Sequence, residues 1–542
     1  MYRSIKQGSI SLLLAGGLLL PGVSVSAQEQ RERVAPPVAP TTLTITNDRG
    51  NTPVASTGRR SGAPSSVADL QSRISEITHR IGLSRAQIGV KIASLDTGRV
   101  IYEENAEKLY MPASNMKIYT VAAAIDRLGP DFRFVTSVYA PAKPDTNGTV
   151  NGDLTIYGRG DPSISAAFNN GDYWKGINDL AQKIADSGLK RVEGDLVGDE
   201  SYFRGPPLGA GWEWDDLQSF DGAPISALSV NNNAVDVTVR PGPGAGAACS
   251  ITTGPPLPIL TIVNRTTTGA AGSKRSIAIS RYLGESTVEV TGSLPLGDQG
   301  FAGIVSVPDP ALAFVYLLRS ALSVRGVAIT GRTRTMTARS RGEVPLNIAG
   351  LVELTQWNSP PLSEIAGKTL KPSQNLYTEL ILRALGQIAG PTDPSIRTSS
   401  DAGHEVVKQF LAKAGLDPKS YALADGSGLS RHNLISANGT IQLLTFMSRH
   451  RYANVFRDAL PIAGVDGTLR NRLKDNAATG NVQAKTGTIN QVAALSGYVT
   501  TGAGERLVFS IIVNNLPEDS NVRRGYIDEI TALMASLQGK SQ

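Results

Sequence analysis

The chain has 542 residues, 41% of them hydrophobic and 18% charged, with a formal net charge of +6. This length exceeds what one hydrophobic core usually serves and predicts roughly two to four domains. The charge is mildly basic, and no basic block with interleaved aromatic residues indicates nucleic-acid binding. The single cysteine, Cys249, excludes an internal disulfide.

The N-terminal segment has the features of a secretory signal. Arg3 and Lys6 precede an apolar run at 12–20, and small residues at 25–27 form a cleavage site. Residues 1–27 therefore predict export to the periplasm or another extracytoplasmic space. The apolar run is short for a membrane span, and no later segment is long enough, so we expect no stable span after signal cleavage. Residues 28–67 are rich in Pro, Thr, Ser, Arg and Gly and predict a disordered leader.

An S-x-x-K motif stands at Ser114 and Lys117, where an apolar run at 118–125 predicts a buried helix ending near Leu128. Residues three apart on a helix are neighbours, so the Lys117 amine can reach the Ser114 hydroxyl. The positive end of the helix favours an alkoxide at this position. A second S-x-x-K begins at Ser187, but the following glycine predicts a helix C-terminus there. We therefore expect Ser114 to be a nucleophile.

The base that activates this serine is predicted to be a lysine. None of the histidines comes with a G-x-S-x-G elbow or an H-E-x-x-H spacing. A lysine that is desolvated beside other cations can accept the serine proton, and Lys485 would supply such a neighbouring charge to Lys117. The histidines are expected to be solvated or packed in the core; they are His79, His404, His432 and His450.

From about 133 to 345 the pattern consists of short strand-like runs broken by Gly and Pro, at 195–198, 235–239, 260–263 and 287–290. This pattern predicts inserted, β-rich accessory domains. The flanking parts, 68–132 and 346–540, are expected to form one discontinuous catalytic domain, in which residues 88–102 make a hairpin.

A K-T-G motif at Lys485, Thr486 and Gly487 occurs once in the chain. It precedes apolar runs at 491–499 and 506–513, which predict a hairpin beside that of 88–102. A strand edge that carries lysine and threonine can align an extended peptide and hold its terminal carboxylate. The glycine lets a substrate backbone come close.

An S-x-N motif, the third in the set S-x-x-K, S-x-N and K-T-G, begins at three places: Ser229, Ser373 and Ser436. Longer strings at 211–216, 371–379, 425–431 and 464–469 accompany these motifs in one order. With them the chain, from about 68 to 540, resembles the class C low-molecular-mass penicillin-binding proteins, the D-alanyl-D-alanine carboxypeptidase/endopeptidase family of the bacterial wall. The resemblance implies an α/β (α+β) fold: a penicillin-recognising serine transpeptidase-like domain, with an antiparallel sheet flanked by helices, and accessory domains inserted into it.

The resemblance also selects the S-x-N motif. It favours Ser373, which precedes an amphipathic helix at 376–385, over Ser229 in a predicted strand and Ser436, which can be the N-cap of a helix at 439–450. Ser373 would relay a proton between the two lysines and the leaving amine. Asn375 would hold the acyl amide.

Two further residues are suggested by the resemblance as substrate-binding. An acidic residue after the Trp212–Trp214 string and an arginine in the 428–431 string would hold the two charged ends of a diaminopimelate-like side chain. The candidates are Asp216, with Asp215 as an equal neighbour, and Arg431. Alternatively, Arg431 caps a helix or pairs with Asp425.

The predicted function is that of a serine DD-peptidase that cleaves D-Ala-D-Ala ends, or D-Ala cross-links, of peptidoglycan stem peptides through an acyl-enzyme on Ser114. β-Lactams would acylate it, and no metal or cofactor is implied. One alternative is a β-lactamase or esterase on the same scaffold, which lacks a correctly placed deacylation glutamate here because the candidate Glu343 precedes Ser373. The other is a non-enzymatic wall-binding scaffold, which the intact nucleophile, lysines and K-T-G disfavour.

Overall fold

The computed structural model describes residues 62–541 of the protein. The predicted signal at 1–27 and residues 28–61 of the predicted leader lie outside the described residues. Residues 62–66 precede the first helix, whose N-cap is Ser66: its hydroxyl accepts a hydrogen bond from the Asp69 amide at 3.2 Å. Within the described part, no helix has both the length and the apolar character that crossing a membrane requires.

The α-helices of the described part follow one another along the chain. They are α1 (Val67–Thr78), α2 (Met116–Leu128), α3 (Lys175–Asp186), α4 (Pro310–Val324), α5 (Leu362–Leu370), α6 (Asn375–Ala389), α7 (Ser399–Lys413), α8 (Ala437–Ser448), α9 (Ala453–Asp458) and α10 (Ser520–Ser536).

The strands of the same part are mostly short. They are β1 (Gln87–Ser94), β2 (Val100–Glu104), β3 (Leu109–Tyr110), β4 (Val135–Ala140), β5 (Thr149–Asn151), β6 (Leu154–Tyr157), β7 (Arg191–Glu193), β8 (Leu196–Asp199), β9 (Ala234–Arg240), β10 (Ser250–Gly254), β11 (Thr261–Gly269), β12 (Ala278–Arg281), β13 (Thr287–Pro295), β14 (Phe301–Ser306), β15 (Ala328–Ile329), β16 (Thr333–Met336), β17 (Val352–Asn358), β18 (Tyr421–Ala422), β19 (Leu434–Ser436), β20 (Gln483–Ile489), β21 (Val492–Thr500) and β22 (Arg506–Asn514).

A five-stranded antiparallel sheet combines distant parts of the chain in the order β2-β1-β22-β21-β20. Helix α10 packs on β21, while α8 packs on β1 and β22. The two faces of β22 are separate: Phe509 and Ile511 join the core beneath α1 and α10, whereas Val508 and Ile512 join the core shared with α8. Strands buried on both faces explain why β21 and β22 are apolar along nearly their whole length.

Helix α2 is the centre of the helical layer. Every residue from Met116 to Asp126 is buried, and α2 contacts α5, α6 and α7. A helix that is buried on all sides needs small and apolar residues all round, which its alanines supply. It ends at Leu128, as predicted, where Gly129 adopts a positive φ of 82°. This packing gives the residues at its N-terminus a rigid support.

In the region from 133 to 345, all four predicted strand-like runs coincide with strands to within one residue; these strands are β8, β9, β11 and β13. Its largest sheet is mixed, with the order β16-β8-β6-β4-β17. The helices α3 and α4 pack against each other in its core, so the region is less purely β than the sequence indicated. The boundary predicted at 345 falls before β17, which pairs with β4. The mixed α/β class with an antiparallel sheet flanked by helices is confirmed.

Candidate active site

Ser114 lies in a single 3-10 turn, Ala113–Asn115, that leads directly into α2. Its neighbours Ala113 and Asn115 are fully buried, while Ser114 itself is partly exposed. Ala113 has a positive φ of 46°, a strained conformation for a residue with a side chain. Any Cβ at Gly428 would collide with the Ala113 carbonyl. The Ser114 turn therefore packs directly on the backbone at Gly428, and Ser114 itself stays partly exposed.

Lys117 lies one turn further along and is completely buried. Its Nζ donates to Ser114 Oγ at 2.9 Å, to Asn375 Oδ1 at 2.6 Å and to the Ser427 carbonyl at 2.7 Å. The Asn375 amide is oriented by its own Nδ2, which donates to the Asp221 carbonyl at 3.0 Å. Of these three acceptors, only the Ser114 hydroxyl carries a proton that it can give to the amine.

Ser373 and Lys485 form a second contact of the same kind. The Nζ of Lys485, a fully buried residue, donates to Ser373 Oγ at 2.9 Å and to the Thr486 carbonyl at 3.0 Å. Ser373 has a positive φ of 66°, which a serine adopts only where its surroundings enforce it. The structure thus brings Ser373 and Asn375, at the start of α6, to the two lysines named from the sequence. We call Ser114, Lys117, Ser373, Asn375 and Lys485 the motif cluster.

The competing motif copies are placed elsewhere. Ser187 ends α3, and its hydroxyl donates to the Ile184 carbonyl at 2.6 Å. Ser436 is the N-cap of α8 and accepts from the Gly439 amide at 2.9 Å, as predicted. Ser229 lies in a loop, so the strand expected there is wrong; its hydroxyl donates to the Ser226 carbonyl.

The K-T-G residues lie within β20, the edge strand of the five-stranded sheet, and precede the predicted hairpin, which is formed by β21 and β22. The hydroxyls of Thr486 and Thr468 are 2.7 Å apart. A Cβ at Gly487 would lie 2.5 Å from the Pro112 carbonyl. Glycine is therefore needed at position 487 because the protein's own Ser114 turn comes close to the sheet there.

Glu379 was not identified as a site residue from the sequence. It lies four residues after Asn375 on the same face of α6 and is almost completely buried. Its Oε1 accepts hydrogen bonds from the amides of Gly426 and Ser427, at 2.9 and 2.8 Å. Burial, with the nearby charge of Asp425 as a second cause, raises the pKa of Glu379 to about 7. The carboxyl group therefore holds the backbone amide of Ser427, the residue whose carbonyl accepts a hydrogen bond from Lys117. The four-residue spacing between Asn375 and Glu379, which puts both on one face of a helix, is the sequence signal that could have identified Glu379 as a site residue.

Asp425 organises the loop that follows. Its carboxylate accepts from the amides of Gly428 and Ser430, at 2.6 and 2.8 Å, and from Trp212 Nε1 at 2.8 Å. This side chain ties the loop behind Lys117 to the string at 211–216. Its hydrogen bonds go to amides, hydroxyls and the indole, and the alternative pair of Arg431 with Asp425 is not found.

Arg431 and Asp216 do not contact each other. Arg431 Nε donates to Glu213 Oε1 at 2.9 Å, and its Nη1 donates to the Asn490 carbonyl at 3.2 Å. Asp216 accepts from the Glu213 amide at 3.3 Å, and burial, reinforced by the charge of Asp215, raises the pKa of Asp216 to about 6. The sequence reasoning missed Glu213, the acidic residue that neutralises Arg431. We call Glu213, Asp215, Asp216 and Arg431 the rim.

Within residues 62–541, no group of three or more His, Cys, Asp or Glu side chains is arranged to hold a metal ion.

A buried lysine bonded to a serine hydroxyl, beside a second lysine on a sheet edge, is the arrangement of a serine-type hydrolase of the penicillin-recognising class. The chain belongs to the D-Ala-D-Ala carboxypeptidase 3 (S13) family, whose model matches residues 70–537, and is thus a low-molecular-mass penicillin-binding protein.

Similar proteins agree with this assignment. A D-alanyl-D-alanine carboxypeptidase of Actinomadura sp. (strain R39) is 35% identical over 459 residues, which cover 83% of this chain and 81% of that protein. The D-alanyl-D-alanine carboxypeptidase DacB of Haemophilus influenzae is 25% identical over 449 residues, covering 81% and 88%. The crystal structure of penicillin-binding protein 4 (dacB) from H. influenzae matches the fold with a TM-score of 0.72 and 24% identity, covering 85% of this chain and 97% of that one.

Proposed function

We propose that the protein is an exported serine DD-peptidase that removes the terminal D-Ala from peptidoglycan stem peptides through an acyl-enzyme on Ser114. The observation that carries this proposal is the 2.9 Å contact between Lys117 Nζ and Ser114 Oγ. Family membership and the 35% identical carboxypeptidase support the substrate class.

In the acylation step, neutral Lys117 keeps N–H bonds to Asn375 and Ser427 and turns its lone pair to the Ser114 hydroxyl. It takes the hydroxyl proton while Oγ attacks the carbonyl carbon of the penultimate D-Ala. The tetrahedral intermediate then collapses: the C–N bond to the terminal D-Ala breaks, and its nitrogen receives, through Ser373, the proton that Lys117 took. The neutral Lys117 then deprotonates a water that attacks the ester carbonyl, and Ser114 Oγ leaves with that proton.

Recognition of the substrate is assigned to the K-T-G strand. The Lys485 ammonium and the Thr486 hydroxyl provide a cation and a donor for the terminal carboxylate, and the edge strand β20 offers backbone groups to an extended peptide. The packing at Gly487 keeps this strand next to Ser114. Asn375 is proposed to hold the acyl amide of the substrate.

The rim is proposed to bind the diamino side chain of the stem peptide, with Asp216 on its ammonium and Arg431 on its carboxylate. Glu213 already neutralises Arg431 in this structure, so a substrate carboxylate would compete with it.

The inserted region at 133–345 is proposed as accessory to the catalytic parts at 68–132 and 346–540. We also propose that the protein cleaves D-Ala cross-links and is acylated by β-lactams. Its location is proposed to be extracytoplasmic, through the signal at 1–27.

Defined muropeptides test this function. We expect the full chain to release one D-Ala from a stem ending in D-Ala-D-Ala, measured by mass spectrometry, and Ser114→Ala to release none. Ser187→Ala, which alters the competing S-x-x-K serine, serves as the matched control and should be as active as wild type. Equal product from Ser114→Ala and wild type, or no product from either, would overturn the assignment.

A further inference from the structure

Thr468 contacts two of the three motif regions at once. It lies in a 3-10 turn, Gly467–Leu469, that precedes β20 in the chain. Its amide donates to the carbonyl of Lys371, which stands just before the Pro372–Ser373 peptide, at 2.9 Å. Its hydroxyl oxygen is 2.7 Å from that of Thr486. One residue therefore joins the approach to the S-x-N motif to the K-T-G strand.

The turn that carries Thr468 is anchored to its surroundings. The Asp466 carboxylate accepts from Lys371 Nζ at 2.5 Å and from the Ile462 amide at 2.9 Å. Gly467 has a positive φ of 55°, and a Cβ there would lie 2.5 Å from the Lys371 carbonyl, so this position needs glycine. These contacts fix the place where Thr468 presents its hydroxyl to β20.

The two threonine hydroxyls form a closed pair. Thr486 is buried and Thr468 is partly exposed, and within residues 62–541 each hydroxyl has only the other as its hydrogen-bond partner. A hydroxyl has one proton to donate and two lone pairs that accept. One of the two protons is therefore used within the pair, and the other is left for a ligand.

A carboxylate selects one of the two possible directions of this hydrogen bond. An ionised carboxylate only accepts, so Thr486 must keep its own proton in order to bind one. If Thr486 donated to Thr468, it would present lone pairs to the carboxylate, and the two groups would repel each other. If Thr468 donates to Thr486, the Thr486 proton is available, and the two hydrogen bonds in series polarise each other.

We propose that Thr468 is a positioning residue for the terminal carboxylate of the stem peptide, an inference that rests on the proposed function. Thr468 donates its hydroxyl proton to Thr486 Oγ1, and Thr486 donates its own proton to the carboxylate. Thr468 therefore favours peptides with a free carboxyl terminus. It takes no part in the proton transfers at Ser114.

Steady-state kinetics on two peptides test this role. The substrates are one stem peptide that ends in D-Ala-D-Ala, with either a free or an amidated carboxyl terminus. Thr468→Val removes the hydroxyl and keeps the branched shape. We expect it to raise KM about fivefold on the free-carboxylate peptide, as for one hydrogen bond of ordinary strength, with kcat within about twofold of wild type. The amidated peptide should show little change in either constant.

Two further variants show whether the hydroxyl itself is responsible. Thr468→Ser keeps the hydroxyl and should restore the wild-type KM. Thr392→Val makes the same change at an exposed threonine of a distant loop and should leave both constants unchanged. In a Thr486→Val background, adding Thr468→Val should cause little further loss, because the hydroxyl that it serves is already absent.

The outcomes separate this inference from the proposed function. No release of the terminal residue by wild type, or equal kcat/KM on its two peptides, would overturn the carboxylate recognition proposed for the K-T-G strand and this inference with it. A selective wild type together with an equally selective Thr468→Val would overturn the inference alone. So would a loss of equal size on both peptides, or a Thr468→Ser variant as weak as Thr468→Val, since either result would indicate a purely structural role.

Discussion

The motif cluster and the rim both bring charged side chains close together, but those of the motif cluster are buried and those of the rim are partly exposed. In the motif cluster, Lys117 and Lys485 are completely buried, and each amine has short contacts to named acceptors. At the rim, Arg431 and Glu213 are both partly exposed and share one ion pair. Buried contacts fix a side chain because losing one leaves a polar group without a partner, whereas an exposed pair exchanges its partner for water at little cost.

The difference predicts where substitutions are severe. A change in the motif cluster removes a contact that nothing replaces, and it should affect every substrate. A change at the rim should affect only substrates that carry the group bound there. Each prediction below tests one side of this comparison, from the largest expected effect to the smallest.

Lys117→Ala should have the largest effect. It removes the amine that contacts Ser114, and general-base catalysis typically contributes about 10² to 10⁴-fold. We expect acylation to fall by that factor at every pH, measured as the rate constant for a labelled penicillin and for a D-Ala-D-Ala peptide. Lys143→Ala, a change of an exposed lysine outside the motif cluster, is the matched control. Acylation at the wild-type rate in Lys117→Ala would rule out a lysine base.

Lys485→Ala should discriminate between substrates. Loss of a charge-assisted hydrogen bond, about 1.5 to 3 kcal/mol, predicts a fall of roughly ten- to a hundredfold in kcat/KM for peptides with a free terminal carboxylate. The fall should be smaller for the same peptide with an amidated terminus. An equal fall on both peptides would mean that Lys485 acts only through Ser373.

Glu379→Ala should weaken acylation less than Lys117→Ala. It leaves the buried amides of Gly426 and Ser427 without their acceptor and frees the carbonyl that receives Lys117, which we expect to cost about tenfold in the acylation rate. Glu379→Gln retains an acceptor oxygen and should restore the rate to within about twofold of wild type. A Gln variant as slow as the Ala variant would contradict this positioning role.

Wild type and Glu379→Gln should also differ in how their stability depends on pH. Burial raises the pKa of Glu379 from 4.5 to about 7 in the folded state. Protonation of Glu379 therefore stabilises the folded protein fully at pH values below the pKa of Glu379 in the unfolded chain. This stabilisation is lost as the pH rises through 7. Denaturant unfolding should show wild type losing stability relative to Glu379→Gln between pH 5 and pH 8. A constant difference across this range would show that Glu379 does not titrate there.

Rim substitutions should have the smallest and most selective effects. Arg431→Ala and Asp216→Asn should each lower kcat/KM several-fold on a stem peptide with a free diamino side chain and little on one with that side chain acylated. Asp215→Asn is the matched neighbour and tests whether the alignment slips by one residue. Equal losses on both peptides would show that these residues serve the fold.

The sequence predicted the buried motif cluster better than the partly exposed rim. Ser114, Lys117 and Lys485 were named from motifs whose spacing on a helix and a strand fixes their geometry, and the structure brings them together. Helix ends at Leu128 and Ser436 followed from local capping, which sequence patterns describe well.

The rest depended on contacts between distant residues. The partner of Arg431 is Glu213, more than two hundred positions away in the chain, and nothing local distinguishes it from Asp216 or Asp425. The close approach of the Pro112 carbonyl to Gly487 was not predicted from the sequence. The role of Glu379 required knowing that the loop at 426–427 folds over α6. Such pairings are set by tertiary packing and not by spacing.

The central claim is that Ser114 is the acylated nucleophile, and peptide mapping after incubation with a labelled penicillin tests it most directly. The account predicts one label per chain, on the peptide that contains Ser114, and none in Ser114→Ala. Thermal unfolding of the variant at the wild-type temperature would show that the fold is intact. A label on a peptide containing Ser187, or a label retained in Ser114→Ala, would contradict the account.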